Sequence, residues 1–422
     1  MNDNNLAHFG GKKTIDKKLQ RYNSVGSEEL EAVQNVMATG VLSSYVASWG
    51  DDFLGGPQVQ NLEAEAQQLF NVKYAVAVNS WTSGLICAIG ALDVSPGDEI
   101  IVTPWTMSAT VASILHWGCI PIFADIDINT FMLDPADVER KITERTKAIL
   151  SADIFGQSDN YYALRKLADA YNLKIVSDTA QAPLANTQHG FAGTLSDVGG
   201  ISLNYHKHIH CGEGGIIFTN DESLALRMRM IRNHAESCVD GSGIVNICNM
   251  IGYNFRLGEL EAAIAREQLK KLPKIVKRRQ EIAEQISKHL SKYDGLTVPK
   301  PIEGHEHVYY VYPIVIDKAK FSIGRETIIA YLEAEGVEGM MSGYLNCHLL
   351  PGLINKTAYG SKGFPWSLNP HIEYTYGEGL CPVAEELHKN TFIGFEMCML
   401  ELNTKDLDLI CSAFVKVFDN CS

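Results

Sequence analysis

The chain has 422 residues, more than one hydrophobic core usually supports, so a large domain with a smaller companion is the expectation. Hydrophobic residues make up 46% and charged residues 20%, which excludes a disordered or fibrous chain. The formal net charge of −14 argues against a general nucleic-acid binder, which needs an electropositive face, but leaves open a small anionic ligand that answers to the local field. From about residue 70, short β-branched runs alternate with longer amphipathic ones. YAVAVN (74–79) predicts a strand and 82–92 a helix; EIIVTP (99–104) predicts a strand and 108–116 a helix. IPIFADI (120–126), a helix near 135–142, KAILSADI (147–154), a helix over 160–171 and KIVSD (174–178) follow. Strands alternating with helices at this spacing imply an α/β domain with a mainly parallel sheet covered on both faces.

DVGGISLN (197–204) and GGIIFTN (214–220) are two further strands joined by a Gly- and His-rich loop. After Leu257 comes a long charged stretch with apolar residues near helical spacing, Leu260, Ile264, Leu269, Leu272 and Ile275, running to about Tyr293. Mixed short elements follow, so the expected division is a large domain over 1–270 and a smaller α+β domain over 271–422. No apolar run reaches the roughly 20 residues that span a bilayer, so no membrane segment is expected. The start, MNDNNLAHFGGKKT, lacks an apolar core after its charges and reads as no secretory leader. Ten cysteines stand singly with no CxxC pair, as in a reducing compartment, and together these features predict a cytoplasmic protein.

Three segments could carry chemistry. AVNSWTSGL (77–85) ends a buried strand and begins a helix with Ser80, Thr82 and Ser83 at the junction, where free N–H groups, the helix dipole and hydroxyls suit a phosphate. Ordinary N-capping explains the same residues. KIVSDTAQAPLA (174–185) puts Asp178 at the carboxyl end of an apolar strand, where ligands of open α/β sheets sit. An acid there can hold a pyridine nitrogen protonated, although a turn or cap role is as good a reading. SLNYHKHIHCGEGG (202–215) places Lys207 in a loop after a strand; desolvation and neighbouring cations, His206, His208 and His210 if protonated, would make it a nucleophile toward carbonyls. A surface lysine is the plain alternative. The alternating histidines also suggest a metal, but the ligand set is incomplete and no metal is expected.

In this order the segments resemble the DegT/DnrJ/EryC1 family of pyridoxal-phosphate (PLP) dependent sugar aminotransferases, from about GGPQVQNLE (55–63) to GELEAAI (258–264) and more weakly beyond. The resemblance implies the PLP transferase type I fold. In NSWTSG it points to Thr82 and Ser83 as phosphate ligands, with Trp81 standing where the family has glycine, which puts the backbone of the turn in question. DTAQ implies that Asp178 pairs with the pyridine nitrogen and that Gln181 lies near the ring hydroxyl. Ser202 and Lys207 match the Ser-x-x-x-x-Lys pattern, so Ser202 would bind phosphate and Lys207 would hold PLP as a Schiff base. GYNFRLGELEAAI (252–264) implies that Asn254 reaches the phosphate of a neighbouring subunit's cofactor, hence a homodimer with shared sites. In TPWTMSAT (103–110) Met107 takes the place of the aromatic residue over the ring, with Trp105 as the alternative; Tyr344 and His348 are candidates for the sugar pocket.

The implied reaction moves an amino group, from an amino-acid donor such as L-glutamate, to a keto group of a nucleotide-linked sugar. Lys207 is the base and acid, and Asp178 supports the protonated ring. A dehydratase on the same fold is the alternative; the family's dehydratases carry histidine where this chain has Lys207. A non-catalytic binding protein or a metal protein built on the three histidines is the remaining option.

Overall fold

The structure is a computed structural model that describes residues 5–421. Residues 1–4, the beginning of the segment read as no secretory leader, and residue 422 lie outside the described residues. The alternating pattern becomes seven strands: β1 (Tyr74–Val78), β2 (Glu99–Val102), β3 (Ile120–Phe123), β4 (Thr146–Ala152), β5 (Lys174–Asp178), β6 (Val198–Ser202) and β7 (Gly215–Thr219). They form one sheet in the order β1-β7-β6-β5-β4-β2-β3. β2, β3, β4, β5 and β6 pair in parallel, whereas β7 runs antiparallel to both β6 and β1. Nearly every residue of these strands is buried, as expected for a sheet covered on both faces.

Helices α1 (Ser27–Thr39), α2 (Pro57–Phe70), α3 (Trp81–Ala91), α4 (Ser108–His116), α5 (Pro135–Lys141), α6 (Tyr161–Tyr171) and α7 (Glu222–Arg232) connect and cover the strands. α3 matters most for function. It is apolar nearly all round, buries Leu85, Ala88 and Ile89 in the main core, and starts at the carboxyl end of β1, where the Ser80 side chain caps it by accepting the Ser83 N–H at 3.1 Å.

The long amphipathic stretch forms α8 (Glu259–Leu290), 32 residues or about 48 Å at the usual rise. Its first half packs Ala262, Ala265, Leu269 and Leu272 against the outer face of the large sheet. Its second half gives Ile282, Ala283, Ile286 and Leu290 to a separate C-terminal core. Residue 270 lies inside this helix. The C-terminal core is built on an antiparallel sheet of Leu296–Thr297, Tyr312–Ile316, Phe392–Phe395 and Met340–Ser342, in that spatial order, and on the helix Thr404–Cys421. Leu6, Ile15 and Leu19 join that core, so the start of the described chain packs on the C-terminal unit and not on the large sheet. Among the described residues no helix is long and apolar enough to cross a membrane.

Candidate active site

The carboxyl ends of β1, β2, β5 and β6 open onto one cavity, and the loop after each strand contributes to its wall: Thr82 after β1, Met107 after β2, Asp178 and Gln181 at β5, Ser202 and Lys207 at β6. The parallel sheet accounts for this convergence. Asp178 is in register with Ala152 of β4 and Gly200 of β6, so residues one or two places further along neighbouring strands reach the same rim.

Lys207 is held by a turn in which its N–H donates to the Asn204 carbonyl at 3.0 Å. The side chain is only 9% exposed and places Nζ 4.4 Å from the centre of the Tyr310 ring. Burial pushes its amine down to about 8, with Asp178 opposing the shift. The cationic histidine neighbourhood expected from the sequence does not form. Burial pushes His206 down to about 4 and His208 to about 3, and lowers His210 as well, so all three stay uncharged at neutral pH. Desolvation alone therefore lowers Lys207. The extended geometry that would align the histidines is also missing, because 205–209 is a turn and His208 is bonded to the Val308 carbonyl at 2.8 Å through Nε2. Among the described residues no group of three or more His, Cys, Asp or Glu side chains is arranged to hold a metal ion.

The Asp178 carboxylate is 7% exposed and accepts three hydrogen bonds. Trp81 Nε1 donates to Oδ1 at 2.7 Å, the Ala180 N–H donates to the same oxygen at 3.2 Å, and the Thr110 hydroxyl donates to Oδ2 at 2.7 Å. Gln181 is also fixed at both ends: Oε1 accepts the Phe155 N–H at 2.8 Å and Nε2 donates to the Tyr344 hydroxyl at 3.0 Å. Phe155 has φ +58°, a conformation rare for a bulky residue, and this turns its N–H toward Gln181.

At the start of α3, Thr82 is exposed and faces the cavity together with Ser80. Ser83 does not line it: its N–H is spent on Ser80, and its hydroxyl bonds Asn79 Oδ1 at 2.8 Å and Ser80 Oγ at 2.9 Å. The capping geometry has claimed that hydroxyl. Ser202 does line the cavity, and its Oγ accepts the Asn204 N–H at 3.3 Å. The substitution of Trp81 for glycine leaves the turn intact, since Ser80 keeps the extended cap conformation and α3 begins at Trp81 itself.

Met107 is 54% exposed on the cavity wall, whereas Trp105 is fully buried against Phe131, Phe155 and Phe392 and does not line it. Tyr344 reaches the site through Gln181, but His348 is buried behind it and bonded to Glu385 at 2.9 Å. Asn254 is not on the wall. It is exposed, its Oδ1 accepts Arg256 Nε–H at 2.8 Å, and the carbonyl of the next residue, Phe255, accepts the Asn79 N–H at 2.9 Å, next to the start of α3. Thr110 and Tyr310 are contributors that the motifs did not single out; they come from a helix face and a distant loop with no local signal.

A buried amine of lowered basicity, a fixed carboxylate and exposed hydroxyls at a helix N-terminus share one cavity. That donor set fits PLP, which presents an aldehyde, a pyridine nitrogen and a phosphate.

Comparison with known proteins agrees. The model of the DegT/DnrJ/EryC1/StrS aminotransferase family matches residues 27–372. The spore coat polysaccharide biosynthesis protein SpsC of Bacillus subtilis (strain 168) is 32% identical over 352 residues, 82% of this chain and 87% of that protein. Among solved structures, the aminotransferase from Psychrobacter cryohalolentis superimposes with a TM-score of 0.81 at 25% identity, covering 96% of this chain and 100% of the other. S. venezuelae DesV, solved in complex with a ketimine intermediate, gives a TM-score of 0.79 at 26% identity, covering 94% and 95%.

Proposed function

The chain belongs to the DegT/DnrJ/EryC1/StrS aminotransferase family of PLP-dependent sugar aminotransferases, and on that premise we propose that it transfers an amino group from L-glutamate to a keto group of a nucleotide-linked sugar. The observation that carries this reading is Lys207: a nine-tenths buried amine, lowered to about 8, in the same cavity as the Asp178 carboxylate.

PLP, when bound, supplies the carbonyl that links amines and the ring that draws off electrons released at the donor's α-carbon. The rest falls to the chain. Lys207 Nζ is uncharged in a useful fraction of molecules near neutral pH, so it could hold the group through its carbonyl and, when free, would move a proton at the donor's α-carbon as base and acid. Asp178 would hold the pyridine nitrogen protonated. Gln181, locked by Phe155 and Tyr344, would lie near the ring hydroxyl, and Met107 would pack on the ring through its thioether. Thr82 and Ser202 would bind the phosphate at the positive end of α3. Asn254, exposed beside that end, serves the phosphate of the neighbouring subunit in a homodimer. All ten cysteines are unpaired, which supports work in the cytoplasm.

The presence of Lys207 where the family's dehydratases carry histidine favours transamination over dehydration. An absorption spectrum of the purified protein before and after L-glutamate tests this. The visible band of the lysine-linked cofactor should give way to the shorter-wavelength band of the amine form; a band that L-glutamate leaves unchanged would remove glutamate as donor.

A further inference from the structure

Trp81 occupies a place that the rest of the chain has been shaped to receive. Its indole lies 5% exposed between α3 and the sheet, against two glycines. A Cβ on Gly84 would stand 2.6 Å from Trp81 Cε3 and one on Gly200 would run into the six-membered ring, while one on Gly215 would meet the Trp81 backbone, 2.8 Å from Cα. Gly84 of α3 and Gly200 of β6 therefore leave the volume that the indole fills, and Gly215 of β7 lets the start of α3 approach the sheet. Its polar edge ends on a functional group, with Nε1 at 2.7 Å from Asp178 Oδ1.

We propose that Trp81 is a positioning residue that fixes Asp178 so that the proton shared with the cofactor stays on the pyridine nitrogen. This inference rests on the reading that Asp178 faces that nitrogen. Oδ1 faces the Trp81 and Ala180 N–H groups, and neither can accept, so that oxygen can only accept. Oδ2 receives the Thr110 hydroxyl, which is itself within 2.9 Å of the Thr106 hydroxyl. A carboxylate bound in this way has a use for a proton held by a partner and a poor place for one of its own. Removing the indole N–H leaves Oδ1 with only the longer Ala180 N–H bond, so the carboxylate is less stabilised as an anion and less firmly oriented, and the ring nitrogen would lose its proton more readily and pull less on electrons from the donor. Glycine at position 81 could make no such bond.

The test uses the holoenzyme carrying PLP labelled at the ring nitrogen. In the unaltered enzyme the ring-nitrogen NMR shift should be that of a protonated pyridine. Trp81→Phe should move it toward the unprotonated value and slow the half-reaction with L-glutamate on the order of tenfold, the size of losing one hydrogen bond to a charged group. Replacing Trp81 by its benzothienyl analogue, which exchanges only the N–H for sulfur and keeps the shape, should do the same and covers the case in which Trp81→Phe does not fold. Asp178→Asn separates the two levels of the claim. If Asp178→Asn shifts the resonance and neither position-81 replacement does, Trp81 is only a packing residue and the proposal is overturned. If Asp178→Asn also leaves the resonance unchanged, the placement of Asp178 at the pyridine nitrogen fails, and the proposal fails with it.

Discussion

A lysine that must be buried to be reactive costs the fold stability, and Lys207 gives that cost a sign and a pH window. Its amine titrates near 8 in the folded chain against 10.5 for an ordinary lysine, so between those values the unfolded chain binds more protons. Stability of the cofactor-free protein should therefore rise as pH goes from about 8 to 10.5, and at neutral pH the buried lysine costs on the order of 3 kcal/mol. Lys207→Met should then abolish the visible cofactor band while making the cofactor-free protein more stable near neutral pH. Urea melts of both forms at neutral and alkaline pH check this; a less stable Lys207→Met protein at neutral pH would mean that the amine is paired and not merely buried. Lys207 and Asp178 were legible in the sequence because each follows an apolar strand, which fixes where a residue sits. Direction of bonding was not. Ser83 and Thr82 are both hydroxyls in the first turn of α3, and only the cap formed with Ser80 decides that Ser83 turns inward. The histidines beside Lys207 looked cationic because burial cannot be read from a loop's composition.

Among the elements, the strands of the large sheet and the helices α3 to α6 fall within a few residues of their sequence signals, since short apolar runs alternate there with longer amphipathic ones, whereas α1, α2 and α7 lie outside the predicted elements. The antiparallel direction of β7 carries no such signal; the connection over 203–214 is long enough for either direction, and it returns the chain beside β6 with no helix to cross over. The glycines of GGIS and GEGG could have been read as room for a large neighbour, yet nothing local says that the neighbour is Trp81. Gly200→Ala tests that packing. The added methyl would meet the Ile216 carbonyl of β7 as well as the Trp81 ring, so the cost should be about 2 kcal/mol or more. Combined with Trp81→Phe, which withdraws part of the ring, the two losses should sum to less than their separate values, and thermal melts of the four proteins measure the coupling. Strict additivity would show that the methyl is resisted by the β7 backbone alone.

For the whole molecule, chain length predicts a large unit with a smaller companion, but it does not predict the closure of the chain on itself. Ala7 and Thr14 donate their N–H groups to the buried Glu335 carboxylate at 2.7 and 3.0 Å, and Lys416 pairs with it at 2.8 Å, so segments hundreds of residues apart meet with no local pattern to announce it. The same limit would apply between subunits of the proposed homodimer, which makes Asn254 the decisive residue at this scale. It is exposed, and its side chain is bonded to Arg256 on its own surface, so Asn254→Ala should leave the folding of a single chain unchanged. If its amide completes the phosphate site of a neighbouring subunit, the variant should instead lose PLP about tenfold more readily, the loss of one hydrogen bond to a charged group. Cofactor release from both proteins, followed by the visible band across a dilution series alongside the molecular mass in solution, separates the cases. In a shared site, release accelerates as the unaltered enzyme is diluted below its dimer dissociation range, and Asn254→Ala releases PLP quickly even when fully dimeric. A monomer that keeps PLP as tightly as the dimer would make each site complete within one chain and remove Asn254 from it.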